Sequence, residues 1–406
     1  MDRSGAPSQR KPGLLTGIAL LVPITMAVMG VVVLAPVLPQ MQSAFRNTPH
    51  AEFLVPMVLT TPALCVLLFS WLAGIAGDAF GRRRLLIGSM IVYAALGVTP
   101  IFLNDLASIL ASRVGVGICE AMVMTLSTTL IGDVFHGPAR DRWLASQTAV
   151  ASLSALVLLN LGGMLGRFGW RGPFVIYASS LLMVLLILRF TWEPRREDEV
   201  GADTRKLGWA EFPRLWMAGV ALVTVFGAIM FYTVQIQAAF GLTAHGIVDP
   251  ARIGFLTSLA SLGVPLGTVV FQFVSRVPTP ALFALEFAIL GAGFVEMTHG
   301  ASANAFLIGA TINQFGAGMI LPTMLTWAMR PLPFDIRGRG TGIWMAAISA
   351  GQFLSPIVIT LVSKQTGGLL PAFQVLGFAC FAAGALALAN FAFVWRAPKL
   401  AAGAPQ

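Results

Sequence analysis

Twelve apolar runs, each near 20 residues or longer, fill this chain, and such runs fold as membrane-spanning helices. They fall at about 14–37, 54–77, 85–103, 106–131, 143–166, 172–191, 214–240, 252–275, 279–297, 302–328, 341–364 and 370–394. An α-helix rises about 1.5 Å per residue, so some 20 residues cross a hydrocarbon core of about 30 Å. Backbone polar groups find no water there, and a helix satisfies them within itself. Composition agrees: 57% of the 406 residues are hydrophobic and 11% charged, with a mean hydropathy of +0.82, outside the range of soluble domains. The net charge of +9 would suggest nucleic acid for a soluble protein. Here the basic residues stand in short loops between apolar runs, where they set topology, and no nucleic-acid partner is expected.

The first run follows a polar segment carrying Arg3, Arg10 and Lys11. It is too long for a signal-peptide core and lacks a small-residue cleavage site, so it is expected to stay as the first span. With the N-terminus in the cytoplasm, 20 of the 26 lysines and arginines lie on the inner side; five (Arg46, Arg167, Arg171, Arg252, Lys364) lie outside and Arg113 lies inside the fourth run. Shifting the count by one run would invert the second half and destroy that bias, so both termini are expected in the cytoplasm. The one long polar connection, Glu193 to Arg214, divides the runs into two sets of six. The expected organisation is a tail (1–13), a first bundle (14–192), a linker (193–213), a second bundle (214–394) and a tail (395–406). Cys65, Cys119 and Cys380 sit inside apolar runs without pairing or ligand spacing, which predicts buried thiols and neither disulfide nor zinc.

The second and third runs are joined by Gly74-Ile75-Ala76-Gly77-Asp78-Ala79-Phe80-Gly81-Arg82-Arg83-Arg84. A glycine, an aspartate four residues on, a glycine three further and then a basic pair resemble the helix 2–3 loop signature of the major facilitator superfamily. Internal repetition supports a duplicated chain. Gly132-Asp133 with Arg140-Asp141-Arg142 after the fourth run is echoed by Asp335-Ile336-Arg337-Gly338-Arg339 after the tenth, while the copy of the first signature has decayed to Ser275-Arg276-Val277-Pro278. The resemblance implies an all-α polytopic membrane protein of two six-helix bundles around a cavity built mainly from helices 1, 4, 7 and 10. It further implies a small-molecule substrate, no cofactor, a monomer and a bacterial inner membrane. In similar transporters the Asp and Arg of the loop join an acid at the end of helix 4. That makes Gly74, Asp78, Gly81, Arg82 and Asp133 a latch closing the cytoplasmic side of the outward-facing state. The alternative, that the arginines only fix topology, is the reading for Arg83 and Arg84.

Arg113, Gly117 and Glu120 of the fourth run are spaced i, i+4, i+7 and share one helix face, with Glu120 near mid-membrane. Charges at that depth are costly, and the usual solution is a pair facing a cavity. Arg113-Val114-Gly115-Val116-Gly117 resembles the second family signature, with Val116 where glutamine is more usual. In proton-coupled relatives this arginine is associated with coupling, so Glu120 with Arg113 is the expected proton site; a static structural pair is the alternative. The fifth run carries Gly162-Gly163 but lacks the Gly-Pro that drug and proton antiporters often place before it; Gly162, Gly163 and Gly166 would still admit a close neighbour. The candidate cavity residues are Asn160, Phe226, Phe231, Tyr232, Gln235, Asn313, Gln314, Trp344 and Gln352. The first run carries no charge, only Thr25, Met26 and Met29, which points away from a sugar-like substrate. Glu286 in the ninth run is read as structural, snorkelling or paired with Arg276.

Catalytic chemistry has no foothold. The four histidines lie in loops or at helix ends, and phosphate loops, nucleophile elbows and metal spacings are missing. Energy would then come from an ion gradient. The favoured function is proton-coupled export of an amphipathic small molecule, as in twelve-span drug and proton antiporters. The alternative is proton-coupled import of an organic anion, with Arg113 as its counter-charge. A non-transporting receptor on the same fold is argued against by the intact helix 2–3 loop.

Overall fold

The computed structural model describes residues 12–193, 212–299, 302–332 and 334–396. Among these described residues are twelve helices long and apolar enough to span a bilayer. In chain order they are α1 (Leu14–Ala44), α2 (Ala51–Phe80), α3 (Arg82–Ile101), α4 (Leu106–Val134), α5 (Gly137–Gly166) and α6 (Gly172–Phe190), then α7 (Arg214–Ala244), α8 (Pro250–Val274), α9 (Thr279–His299), α10 (Ala303–Met329), α11 (Phe334–Thr366) and α12 (Leu369–Arg396). The protein is a multi-pass membrane protein. Most helices run several residues past the apolar limits, because their polar ends continue the backbone hydrogen bonding beyond the hydrocarbon. Thus α5 starts at Gly137 rather than 143 and α11 at Phe334 rather than 341. Most of the polar connection between α6 and α7 lies outside the described residues.

Proline decides where helices break. Pro23 follows a turn at Val22 and leaves Ala19 without its usual backbone donor, so α1 restarts at Ile24. A second bend at Val33-Leu34 leads into the Pro36 and Pro39 turns. In α8 a turn at Leu262 precedes Pro265, and the helix continues from Gly263. Gly81 is required at the α2–α3 corner: its φ of 91° lies in the left-handed region that favours glycine.

Among the described residues two large buried apolar clusters form the two halves, and a third, smaller one gathers Met217 and Val220 of α7, Ala328 of α10 and Ile336 of α11. Of the large two, one draws on α1 to α6, with Ile236 of α7 added; the other draws on α7 to α12. With an even number of spans both termini lie on one face, here called the termini face. The halves are joined toward the opposite, far face. There Arg167 after α5 pairs with Asp249 before α8 at 3.0 Å, and Lys364 near the end of α11 pairs with Glu52 at the start of α2 at 2.6 Å. These pairs occupy corresponding places in the two halves: a base at the end of the fifth helix of one half meets an acid at the start of the second helix of the other. Between them α5 and α8 nearly touch, since a Cβ at Gly163 would lie 2.4 Å from the Pro250 carbonyl oxygen. Asn160 Nδ2 donates across the same seam to Ser258 Oγ at 2.9 Å. Toward the termini face, a Cβ at Gly74 of α2 or Gly342 of α11 would meet nothing within 4 Å.

Candidate functional site

Below the far-side seam the halves enclose a cavity of about 300 Å³. Its wall comes from α1, α2, α4, α5, α7, α8 and α11. Helix 10, expected as a principal wall, contributes no lining side chain; α8 and α11 take that place. The lining is mostly aliphatic, from Ile24, Val28 and Val31 of α1 to Val264 of α8 and Ile348 of α11. Polar groups are few: Ser152, Tyr232, Gln235, Ser261, Ser349 and Gln352. Among the described residues Glu120 is the one charged side chain in the wall, and it is 5% exposed.

Of the expected cavity residues, Phe231, Tyr232, Gln235 and Gln352 line it. The other five stand elsewhere. Asn160 is drawn into the α5–α8 seam by Ser258 and by the Leu156 carbonyl. Phe226 packs at a tilt against Phe287 within the second half, with ring centroids 5.5 Å apart. Asn313 donates to the Leu290 carbonyl of α9 and is fully buried. Gln314 accepts a 3.0 Å hydrogen bond from Gln235 Nε2, so it orients a lining residue from behind. Trp344 packs among apolar residues of the second half. A polar residue in a span satisfies itself on whichever neighbour is nearest, and periodicity alone does not say which neighbour that is.

The expected pairing of Arg113 with Glu120 is replaced by two separate environments. Seven residues of helix rise about 10 Å, more than the two side chains bridge while each is held by its own neighbours. Among the described residues no ion pair joins them. Arg113 is fully buried; its Nη2 donates to the Gly97 carbonyl of α3 at 3.3 Å, and its guanidinium lies 5.2 Å and 4.7 Å from the ring centroids of Phe174 and Tyr177 of α6. These rings supply the electrostatic partner that a carboxylate was expected to provide. Glu120 instead meets α1, where its Oε2 reaches Gly30, and faces the cavity. Oε2 has no hydrogen-bond partner among the described residues.

At the termini face Arg82 joins both expected acids. Its Nη2 donates to Asp78 Oδ1 at 2.8 Å and its Nη1 donates to the Asp133 carboxylate. The network of Asp78, Arg82 and Asp133 is therefore assembled within the first half. Arg83 does more than mark topology. Its side chain donates to Thr191 Oγ1 and to the Leu188 carbonyl at the end of α6, while the backbone N–H groups of Arg83 and Arg84 donate to the Glu193 carboxylate. Glu193 thereby caps the start of α3, where the helix dipole favours an anion. Sequence reading missed this role because the acid is 110 residues away.

Glu286 neither snorkels nor meets Arg276. It is fully buried on α9 and accepts a 2.6 Å hydrogen bond from Thr323 Oγ1 of α10.

Residues 20–329 match the Major Facilitator Superfamily. The chain belongs to that family. Its relatives include the cephamycin export protein of Amycolatopsis lactamdurans, 26% identical over 73% of this chain and 62% of that protein's length. The class C tetracycline resistance protein of Escherichia coli is 25% identical over 85% of this chain and 89% of its own. Multidrug resistance protein 1 of Bacillus subtilis is 23% identical, covering 93% and 96%. Among solved structures, a bacterial homologue of the human lysosomal transporter Spinster, inward-facing and unoccupied, superposes with a TM-score of 0.75 at 17% identity, covering 93% of this chain and 95% of that one. That likeness establishes the major facilitator fold for the chain.

Proposed function

We propose that this major facilitator transporter exports an amphipathic small molecule in exchange for protons. The observation that carries the reading is the cavity itself: an aliphatic chamber of about 300 Å³ whose wall holds, among the described residues, a single charged side chain, the acid Glu120. An apolar chamber with a few placed polar groups suits a molecule with an apolar body and a small polar or cationic group. A carboxylate in such surroundings takes up either a proton or a substrate's positive group, and competition between the two is the simplest basis for exchange. The names of the cephamycin, tetracycline and multidrug relatives support export.

In this reading the termini lie in the cytoplasm, as the lysine and arginine bias requires. The far-face seam of Arg167–Asp249 and Lys364–Glu52 is then the closed outer gate, and the conformation faces inward. Substrate enters from the cytoplasmic side and meets ionised Glu120. The halves rock, the seam opens, and a proton from outside neutralises Glu120 and releases the substrate. Return to the inward-facing form and loss of the proton to the cytoplasm complete the cycle. The Asp78, Arg82 and Asp133 network serves as the latch of the cytoplasmic side in the outward-facing state. Gly74 of α2 is the point at which the second half would approach.

Organic-anion import keeps the missing Gly-Pro of helix 5 in its favour but not Arg113 as counter-charge, because Arg113 lies behind the cavity wall against Gly97, Phe174 and Tyr177. Proteoliposomes under an imposed pH gradient decide between the two. Export predicts that lipophilic cations or neutral amphiphiles move against the proton; an organic anion moving with the proton, with cations and neutral compounds inert, would overturn the proposal.

A further inference from the structure

Gly30 stands two residues before the end of the α1 segment Ile24–Val32, between the Pro23 turn and the bend at Val33-Leu34. Glycine is a poorer helix former than alanine. Its left-handed freedom is not used here, because Gly30 is not among the positive-φ residues. Space is what Gly30 provides. A Cβ at this position would lie 2.8 Å from Glu120 Oε2, and the next two nearest atoms, at 3.6 and 3.8 Å, also belong to the Glu120 carboxyl group. The volume that any other side chain would fill is therefore the seat of that carboxyl.

This seat offers Oε2 no hydrogen-bond donor. A surface without donors suits an uncharged acid, whereas an ionised carboxylate gains more from the cavity side, whose wall also holds Tyr232 and Gln235. Resting on the reading of Glu120 as the exchange acid, we propose that Gly30 is a positioning residue: it holds open a pocket on α1 into which the protonated Glu120 carboxyl folds out of the substrate's way. The ionised form turns to the cavity. The titratable and charged groups on the elements packed around Glu120 are Tyr232 of α7, which lines the same cavity, Cys65 of α2, Arg113 on its own helix, Tyr177 of α6 beside that arginine, and Tyr93 of α3 beside Tyr177. None is on α1, so Gly30→Ala alters no charge or titratable group beside Glu120.

The test is infrared difference spectroscopy on the purified protein between pH 5 and 9, following the protonated-carboxyl band that disappears in Glu120→Gln. Gly30→Ala blocks the seat and leaves the carboxyl exposed to the cavity, so the midpoint of that band is expected to move by about one pH unit to lower pH. An unchanged midpoint in folded Gly30→Ala would overturn the proposal. Where Gly30→Ala does not fold, the combined Gly30→Ala, Glu120→Asp variant decides: the acid shorter by one methylene fits beside the new methyl and restores folding. If it does not, the contact between the two residues is refuted. A Glu120→Gln protein that still couples substrate to protons would reject the exchange role of Glu120. A silent Gly30→Ala alongside an uncoupled Glu120→Gln would reject only the seat.

Discussion

Substituting Gly163 tests whether the far-face seam belongs to one state of a two-state cycle. A Cβ there would stand 2.4 Å from the Pro250 carbonyl oxygen and 3.1 Å from the Cα atoms of Ala251 and Gly254. All three are backbone atoms of α8 or its first turn, so no rotamer change relieves the clash. Reaching an ordinary carbon–oxygen contact requires the two helices to separate by about 1 Å, and overpacking of this kind typically costs about 1–3 kcal/mol. The cost falls only on the conformation in which α5 and α8 touch. At about 1.4 kcal/mol per tenfold, Gly163→Ala is expected to shift the balance toward the far-open form by roughly 5- to 150-fold. Distances between spin labels at Phe168 and Val248, both well exposed on the far face, measure that balance in a cysteine-free background. A longer-distance population should grow in Gly163→Ala and stay at the wild-type level in Gly219→Ala, whose Cβ meets nothing within 4 Å. Unchanged distances in a folded Gly163→Ala would refute the argument that this contact holds the seam shut.

The far-face clasp should respond to acid. The hydrogen bond from Arg167 holds the Asp249 carboxyl below its ordinary value, so its contribution is complete above about pH 4 and is lost as pH falls through the lowered value. The same labels should separate only below about pH 4, and Asp249→Asn should remove the Arg167–Asp249 part of that acid step, leaving the part carried by the Lys364–Glu52 pair. Arg82 and Asp133 are each about one-quarter exposed, and a double-mutant cycle of Arg82→Ala with Asp133→Asn should give a coupling of about 1 kcal/mol in thermal unfolding, vanishing if the contact is absent. Glu286→Gln retains a partner for Thr323 and should unfold close to the wild-type temperature, whereas Thr323→Val strands the acid and should cost about 1–3 kcal/mol. Equal behaviour of these two variants would contradict the buried hydrogen bond.

The spans were legible because the bilayer leaves so few alternatives: twelve apolar runs became twelve helices. Their ends were less so, since the hydrocarbon limit marks where apolar residues stop and not where helical hydrogen bonding stops. The α2–α3 corner was legible through Gly81 and the charges around it, and Arg82 does meet both Asp78 and Asp133. The cavity was legible only in part. Phe231, Tyr232, Gln235 and Gln352 line it, but Asn160 and Asn313 are spent on interhelical hydrogen bonds, and which face of a span meets which neighbour depends on tertiary packing. Arg113 and Glu120 share a helix face in sequence, yet two aromatic rings of α6 occupy the space around the guanidinium. Gly30 gave a weak signal, a glycine inside a helical run, with nothing in the sequence to point from α1 to Glu120.

The central claim is that substrate and proton compete at Glu120, and proton release on substrate binding tests it most directly. A lipophilic cation such as ethidium is added to the purified protein in weak buffer and the pH change is recorded. The account predicts that wild type releases protons on binding and that Glu120→Gln binds without releasing any. Equal proton release from the two proteins would place the exchange site elsewhere and contradict the account.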